Sequence, residues 1–88
     1  LGGGRDDGPK LGMGLFVKPT IFLDVTPSMR IFREEIFGPV LAVTKAESFD
    51  HAIELINDCA YGLSSSVFTS DVNRAFRAIR DIEAGITY

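Results

Sequence analysis

The chain holds few residues whose types could perform covalent chemistry. Cys59 is the one cysteine and His51 the one histidine among 88 residues. Cys59 stands where a helix is predicted to end, and the helix dipole disfavours a thiolate there, so we expect a small half-buried residue and not a nucleophile. His51 stands in the first turn of that helix without Cys, Asp or His at ligand spacing, which favours a surface residue. The sequence therefore predicts no catalytic residue and no metal site.

Two clusters of charge are the other candidates for a site. Glu34 and Glu35 are adjacent after a short predicted helix, and such a pair by itself is typical of solvated surface. Arg74, Arg77 and Arg80 recur every three residues beside acidic residues. This row favours an exposed face with weak local ion pairs. A phosphate-binding row is the alternative.

The composition of the chain limits the classes of function that it could have. The formal net charge is −3, which gives no electrostatic reason to expect nucleic acid or an anionic membrane as a partner. No apolar run approaches the roughly 20 residues of a membrane-spanning helix. The lone cysteine excludes an internal disulfide, and a reducing, cytoplasmic setting is expected. Because the chain starts at Leu1 and stops at Tyr88 within an apolar run, we expect a fragment of a longer protein.

The first half of the sequence predicts two strands around a short helix. Residues 1–14 carry most of the glycines and indicate a loop or lead-in, without the Gly-Lys-Ser/Thr ending of a phosphate loop. Residues 16–25 form a β-branched and aromatic run, which predicts a strand that Pro19 limits to an edge or irregular position. Thr26 as N-cap and Pro27 at the first helical position predict a helix to about residue 33. Residues 40–44 predict a buried strand.

The second half predicts two amphipathic helices, each followed by a strand. Ser48 is the expected N-cap of the first helix, and Ser70 or Asp71 that of the second. Residues 66–69 predict the strand between them, and Gly85 is the expected left-handed residue after the second helix. Residues 86–88 begin a further strand. The resulting β-α-β-α-β-α-β order predicts an α/β fold with a mainly parallel sheet.

Several ordered segments resemble one known family. Residues 34–40 (EEIFGPV) are similar to a signature segment of the aldehyde dehydrogenase superfamily. The flanking matches are FVKPTI at 16–21, ND at 57–58, YGLS at 61–64, VFT at 67–69, Arg74-Ala75 and Ala84-Gly85. Because the matches keep their order over residues 14–88, the chain is identified as a member of that superfamily. Residues 15–88 are then expected to be part of its catalytic domain, with residues 1–14 as a Gly-rich lead-in.

The resemblance implies roles for three residues. Glu35 matches the family's glutamate that accepts hydrogen bonds from the nicotinamide ribose of NAD or NADP. Phe37 matches the phenylalanine that packs near the nicotinamide ring, and Glu35 and Phe37 are therefore expected to face one cleft. Leu63 is expected to line the same pocket.

The resemblance also implies what the chain lacks. In the family the nucleophilic cysteine, the general-base glutamate and the oxyanion-stabilising asparagine all precede the segment matched by residues 34–40. We therefore expect a homo-oligomeric parent enzyme that oxidises a small aldehyde or semialdehyde to a carboxylic acid, and an isolated chain without activity. The last residues, 85–88, are most similar to the semialdehyde and pyrroline-carboxylate branches of the family. The alternative is a truncated, non-catalytic module with a structural or assembly role.

Overall fold

The computed structural model describes residues 1–5, 8 and 14–88. The predicted lead-in, residues 1–14, thus lies partly outside the described residues. The chain divides into two compact units, Leu1–Lys45 and Ala46–Tyr88. The elements follow the predicted β-α-β-α-β-α-β order, and both strand pairs are parallel, so the α/β prediction is confirmed.

A short parallel pair forms the first unit. Strand β1 (Thr20–Phe22) lies beside β2 (Val40–Ala42), with Thr20 opposite Val40. Both strands are shorter than the predicted runs at 16–25 and 40–44. The pairing nevertheless continues to Val25, whose N–H donates to the carbonyl of Val43 at 3.0 Å. Val25, which follows β1 by three residues, is buried.

Helix α1 (Arg30–Arg33) begins later than the sequence predicts. Met29 is its N-cap and offers no side-chain hydrogen bond. Thr26 is not the cap, so that prediction is wrong: its carbonyl accepts from the Met29 N–H at 3.0 Å in a turn, and its hydroxyl pairs with that of Ser28 at 3.0 Å. Pro27 accordingly stands at the second position of a turn, where its fixed φ is equally favourable.

The second unit is built on two capped helices. Helix α2 (Phe49–Asn57) has Ser48 as N-cap, as predicted, with the Ser48 hydroxyl accepting from the His51 N–H at 3.0 Å. Helix α3 (Val72–Asp81) has Asp71 as N-cap, which decides between the two candidates. The two helices contact each other, and Ala78 of α3 is fully buried.

Strands β3 (Ser64–Ser65) and β4 (Ile86–Thr87) form the second parallel pair. The strand predicted at 66–69 is wrong, because pairing is centred earlier in the chain, and of that run the Val67 N–H donates to the carbonyl of Tyr88 at 2.8 Å. Gly85 is not a left-handed cap either: α3 ends on Ile82 in extended conformation, and Gly85 is not among the glycines with positive φ. Its N–H instead donates to the Gly62 carbonyl at 2.8 Å.

The core of the described residues is small. Only three hydrophobic residues in the described ranges are buried, namely Val25, Ala78 and Ile82. Parallel sheets are normally covered on both faces, whereas here large apolar side chains near the strands are open, including Phe68 at 96% exposure. The fold described is therefore far less covered than a complete α/β domain.

Candidate functional site

The adjacent carboxylates of Glu34 and Glu35 have different surroundings. Glu34 is the C-cap of α1, and its extended backbone (φ −118°, ψ 140°) takes the chain out of the helix. Arg30, one turn earlier, donates two hydrogen bonds to the Glu34 carboxylate, from Nε to Oε1 at 2.9 Å and from Nη2 to Oε2 at 2.8 Å. This hydrogen-bonded guanidinium lowers the pKa of Glu34 below its ordinary value. The carboxylate of Glu34 is therefore occupied by an ion pair with Arg30 of its own helix.

Glu35, in contrast, keeps its carboxylate available. Among the described residues no hydrogen bond or ion pair engages its side chain. Glu35 lines an open depression of about 320 Å³ together with Arg30, Ile31, Glu34 and Ile36. That volume is at the lower end of the range for small-molecule sites. An exposed carboxylate at such a depression offers two acceptor oxygens to a hydroxylated ligand, so the residues present fit the role expected of Glu35.

Phe37 lies at a strained backbone position. Its φ is 52°, in the left-handed region that bulky residues rarely occupy. The ring is 92% exposed, and Phe37 is not among the residues that line the depression beside Glu35. The described residues thus bring Glu35 to a depression but leave the Phe37 ring outside it. The expectation of one cleft for both side chains stays a prediction.

Leu63 belongs to the second unit and precedes β3. Its side chain is 87% exposed. The backbone around it is closely packed, because a Cβ atom built on Gly62 would lie 2.6 Å from the carbonyl oxygen of Glu83. A Cβ built on Gly85 would lie 3.1 Å from the carbonyl oxygen of Leu63. The structure therefore holds the Leu63 backbone tightly and leaves its side chain open.

Sequence reasoning missed Asn57, the last residue of α2. Its side-chain Nδ2 donates to the carbonyl of Asp81 at 2.8 Å, and its Oδ1 accepts from the N–H of Glu83 at 2.9 Å. Both partners are more than twenty residues away in sequence. The sequence indicates the Asn-Asp pair only as a helix end and as part of the family resemblance, and no local pattern predicts these contacts.

The arginine row of α3 carries ion pairs; those of Arg74 and Arg80 are local, as predicted, and that of Arg77 reaches α2. Each of the three guanidinium groups lies against a carboxylate; the pairs are Arg74–Asp71, Arg77–Asp50 and Arg80–Asp81. The guanidinium of Arg77 also stacks over the ring of Phe49 at 5.3 Å. These neighbouring carboxylates oppose the binding of a phosphate, so the structure favours the solvated face over the alternative.

Cys59 and His51 have contacts of a structural kind. The Cys59 thiol donates to the carbonyl of Tyr61 at 2.9 Å and is exposed, where the sequence predicted a half-buried residue. Nδ1 of His51 accepts from the N–H of Glu47 at 3.2 Å, and the ring is half-buried. Over the described ranges no three His, Cys, Asp or Glu side chains cluster as metal ligands would. None of the helices in those ranges has the length and apolar character needed to cross a bilayer.

Comparison with known proteins gives consistent matches over the chain. The sequence profile of the aldehyde dehydrogenase family matches residues 1–88. The α-ketoglutarate semialdehyde dehydrogenase of Haloferax volcanii is 47% identical over 85 residues, covering 97% of this chain and 18% of the relative. This chain belongs to the aldehyde dehydrogenase family.

Solved aldehyde dehydrogenases have the same fold in the matching region. Betaine aldehyde dehydrogenase from Staphylococcus aureus in complex with NAD⁺ is 41% identical with a TM-score of 0.91, covering 97% of this chain and 17% of that one. The 1-pyrroline-5-carboxylate dehydrogenase from Thermus with bound NAD is 41% identical with a TM-score of 0.91, covering 100% of this chain and 16% of that one. This aldehyde dehydrogenase chain thus spans about a sixth of the length of these relatives.

Proposed function

We propose that this chain is part of the catalytic domain of an NAD(P)-dependent aldehyde dehydrogenase and contributes the nicotinamide-ribose side of the cofactor site. Residues 15–88 would belong to that domain, with residues 1–14 as its Gly-rich lead-in. The complete enzyme would oxidise an aldehyde or semialdehyde to a carboxylic acid, with the bound dinucleotide accepting the hydride. The groups that attack the aldehyde and activate water would come from other parts of the subunit. A cytoplasmic location and a homo-oligomeric parent stay predictions from the sequence.

The observation that carries the proposal is the difference between the two adjacent glutamates. Arg30 occupies the carboxylate of Glu34, whereas Glu35 lines the depression with no partner among the described residues. A ribose diol presents two neighbouring hydroxyl donors, and hydrogen bonds from hydroxyls to a carboxylate are short and strong. In this role Glu35 would orient the ribose, and Phe37 and Leu63 would limit the position of the attached ring.

Substitution of Glu35 in the complete subunit tests the proposal. Glu35→Gln keeps the size of the side chain but removes the charge, so the hydrogen bonds from the ribose weaken. A lost charged hydrogen bond of about 1.5–3 kcal/mol corresponds to a fall of about 10- to 150-fold in kcat/KM for the cofactor. Glu34→Gln is the matched control, because it makes the same chemical change at the carboxylate that Arg30 already engages. Parental cofactor affinity and rate in Glu35→Gln would refute the proposal.

The isolated chain is expected to be inactive. Mixed with NAD, NADP and a panel of aldehydes, it should produce no reduced cofactor, because it would lack the nucleophile and the general base. The panel should include a semialdehyde and a pyrroline-carboxylate substrate, since relatives named for these substrates match the chain closely. Sustained turnover by the 88-residue chain would contradict the proposed division of labour.

A non-catalytic assembly module is the second candidate, favoured by the exposed apolar stripe of α3. Val72, Phe76 and Ile79 follow each other at helical spacing and are 62%, 69% and 58% exposed. Exposed apolar patches often mark contacts with other chains. Sedimentation of the isolated chain separates the two proposals: a stable oligomer without cofactor affinity would favour the module, and a folded monomer would favour a piece of a larger enzyme.

A further inference from the structure

The side chain of Asn57 joins the end of α2 to the end of α3. Asn57 is half-buried, and both ends of its amide are used. Nδ2 donates to the carbonyl of Asp81 at 2.8 Å, and Oδ1 accepts from the N–H of Glu83 at 2.9 Å. One side chain therefore binds the backbone on either side of the α3 C-cap.

This contact replaces the usual ending of a helix. The last carbonyls of a helix have no partner within it, and a left-handed glycine commonly supplies one. Helix α3 ends on Ile82 in extended conformation (φ −80°, ψ 125°) without such a glycine. The amide of Asn57 satisfies the Asp81 carbonyl in its place. Asn57 thus sets the direction in which the chain leaves α3.

The segment that leaves α3 lies directly against the backbone next to Leu63. The Gly85 N–H donates to the Gly62 carbonyl at 2.8 Å. A Cβ atom on Gly62 would lie 2.6 Å from the Glu83 carbonyl oxygen, so the two backbones touch with no room for a side chain. Any shift of residues 83–85 must therefore move residues 62 and 63 as well.

We infer that Asn57 is a positioning residue for the cofactor site: its amide fixes residues 81–83, which fix the Gly62–Leu63 backbone and so the placement of the Leu63 side chain. The inference rests on the proposed function, because Leu63 is there assigned to the nicotinamide pocket. Both hydrogen bonds of the Asn57 side chain are to backbone groups. Its effect on catalysis would pass through Leu63, which predicts that the two residues are energetically coupled.

The first test measures, in the 88-residue chain, whether Asn57 holds the segment after α3 against Gly62. Amide hydrogen exchange of Gly85 reports whether its bond to Gly62 is held closed. In Asn57→Ala the Gly85 amide should exchange about tenfold faster than in the parent. In Asn57→Asp it should also exchange faster, because a carboxylate cannot donate to the Asp81 carbonyl. Asn73→Ala and Asn73→Asp are the matched controls, since Asn73 is exposed on the first turn of α3. Unchanged exchange in both Asn57 variants would overturn the inference.

The second test measures coupling in the complete subunit. Asn57→Ala and Leu63→Ala are each expected to raise the KM for NAD(P), and the double variant should match Leu63→Ala because Asn57 then has nothing left to position. Additive effects would overturn the inference, since a loss of general stability does not depend on Leu63. If Leu63→Ala alone leaves the cofactor KM unchanged, the proposed role of Leu63 fails. If it raises the KM and Asn57→Ala does not, only the inference about Asn57 fails.

Discussion

Substitution of Gly62 by alanine tests how tightly the β3–β4 region is packed. The added Cβ would lie 2.6 Å from the carbonyl oxygen of Glu83, a backbone atom that cannot rotate away. Ordinary contact begins nearly 1 Å further out, so either residues 83–85 or the strand must move. The same movement stretches the hydrogen bond from the Gly85 N–H to the Gly62 carbonyl, now 2.8 Å long.

The expected cost follows from three contributions. Forcing an extra methyl into a packed site costs about 1–3 kcal/mol, and a weakened backbone hydrogen bond adds about 0.5–1.5 kcal/mol. Replacing glycine lowers the conformational entropy of the unfolded chain, which stabilises the folded state by about 0.4–1 kcal/mol. The free energy of unfolding should therefore fall by about 0.5–4 kcal/mol, and a chain of this size loses about 4–8 °C in Tm for each kcal/mol.

Thermal unfolding of the 88-residue chain, followed by circular dichroism, measures this effect. Gly38→Ala is the matched control, because its nearest neighbour would be a flexible side-chain atom of Ile36 at 3.7 Å, an ordinary contact. That control should leave Tm unchanged or slightly raised. A Gly62→Ala variant that melts with the parent and with Gly38→Ala would show that the two backbones do not approach as described.

Two further predictions concern helix ends. Ser48→Ala and Asp71→Ala each remove an observed N-cap and should lower the free energy of unfolding by about 0.5–2 kcal/mol, whereas Thr26→Ala, which removes no cap, should cost less than either in the same denaturant titration. Arg30 lowers the pKa of Glu34 in the folded chain, so this pair stabilises the fold above the ordinary glutamate pKa of about 4.3 and the contribution is lost as the pH falls through the lower, folded pKa. Stability measured from pH 6 to pH 3 should then fall less steeply in Glu34→Gln than in the parent; identical slopes would contradict the ion pair.

The helices of the second unit were predictable because their signals are local. Ser48 and Asp71 precede apolar residues at helical spacing; Ser48 caps as expected, and Asp71 is one of the two candidates for the second cap. The cap of α1 was not predictable from the same rule, since Thr26-Pro27-Ser28 fits a helix start and a turn equally well. In the structure a side-chain bond between Thr26 and Ser28 accompanies the turn.

The errors in the β3–β4 region share a non-local cause. Gly85 follows α3 at a spacing typical of a left-handed cap, but Asn57 already satisfies that helix end from 24 residues away. Gly85 is then required for its close approach to Leu63. Pairing with β4 likewise centres the strand on Ser64–Ser65, before the β-branched run at 66–69 that local propensity favours.

The difference between Glu34 and Glu35 was only partly visible in the sequence. As an acidic pair they look equivalent, and the family resemblance alone selected Glu35. Arg30 stands four residues before Glu34, and oppositely charged residues at that spacing on a helix commonly pair. The spacing therefore contained a signal, independent of any relative, for which carboxylate would be occupied and which would stay available.

Phe37 offers a final prediction because its backbone and its ring have separable consequences. A phenylalanine at φ 52° carries a strain of about 1–3 kcal/mol that surrounding structure must hold, and such strain is found where a site needs it. Phe37→Gly removes both the ring and the strain, whereas Phe37→Ala removes the ring and keeps a side chain at the strained position. In thermal unfolding of the isolated chain, Phe37→Gly should be the more stable variant, because the ring is 92% exposed and little packing is lost.

In the complete subunit both variants should raise the KM for NAD(P), if the ring limits the position of the nicotinamide. Parental cofactor kinetics in both variants would refute a role of Phe37 in cofactor binding.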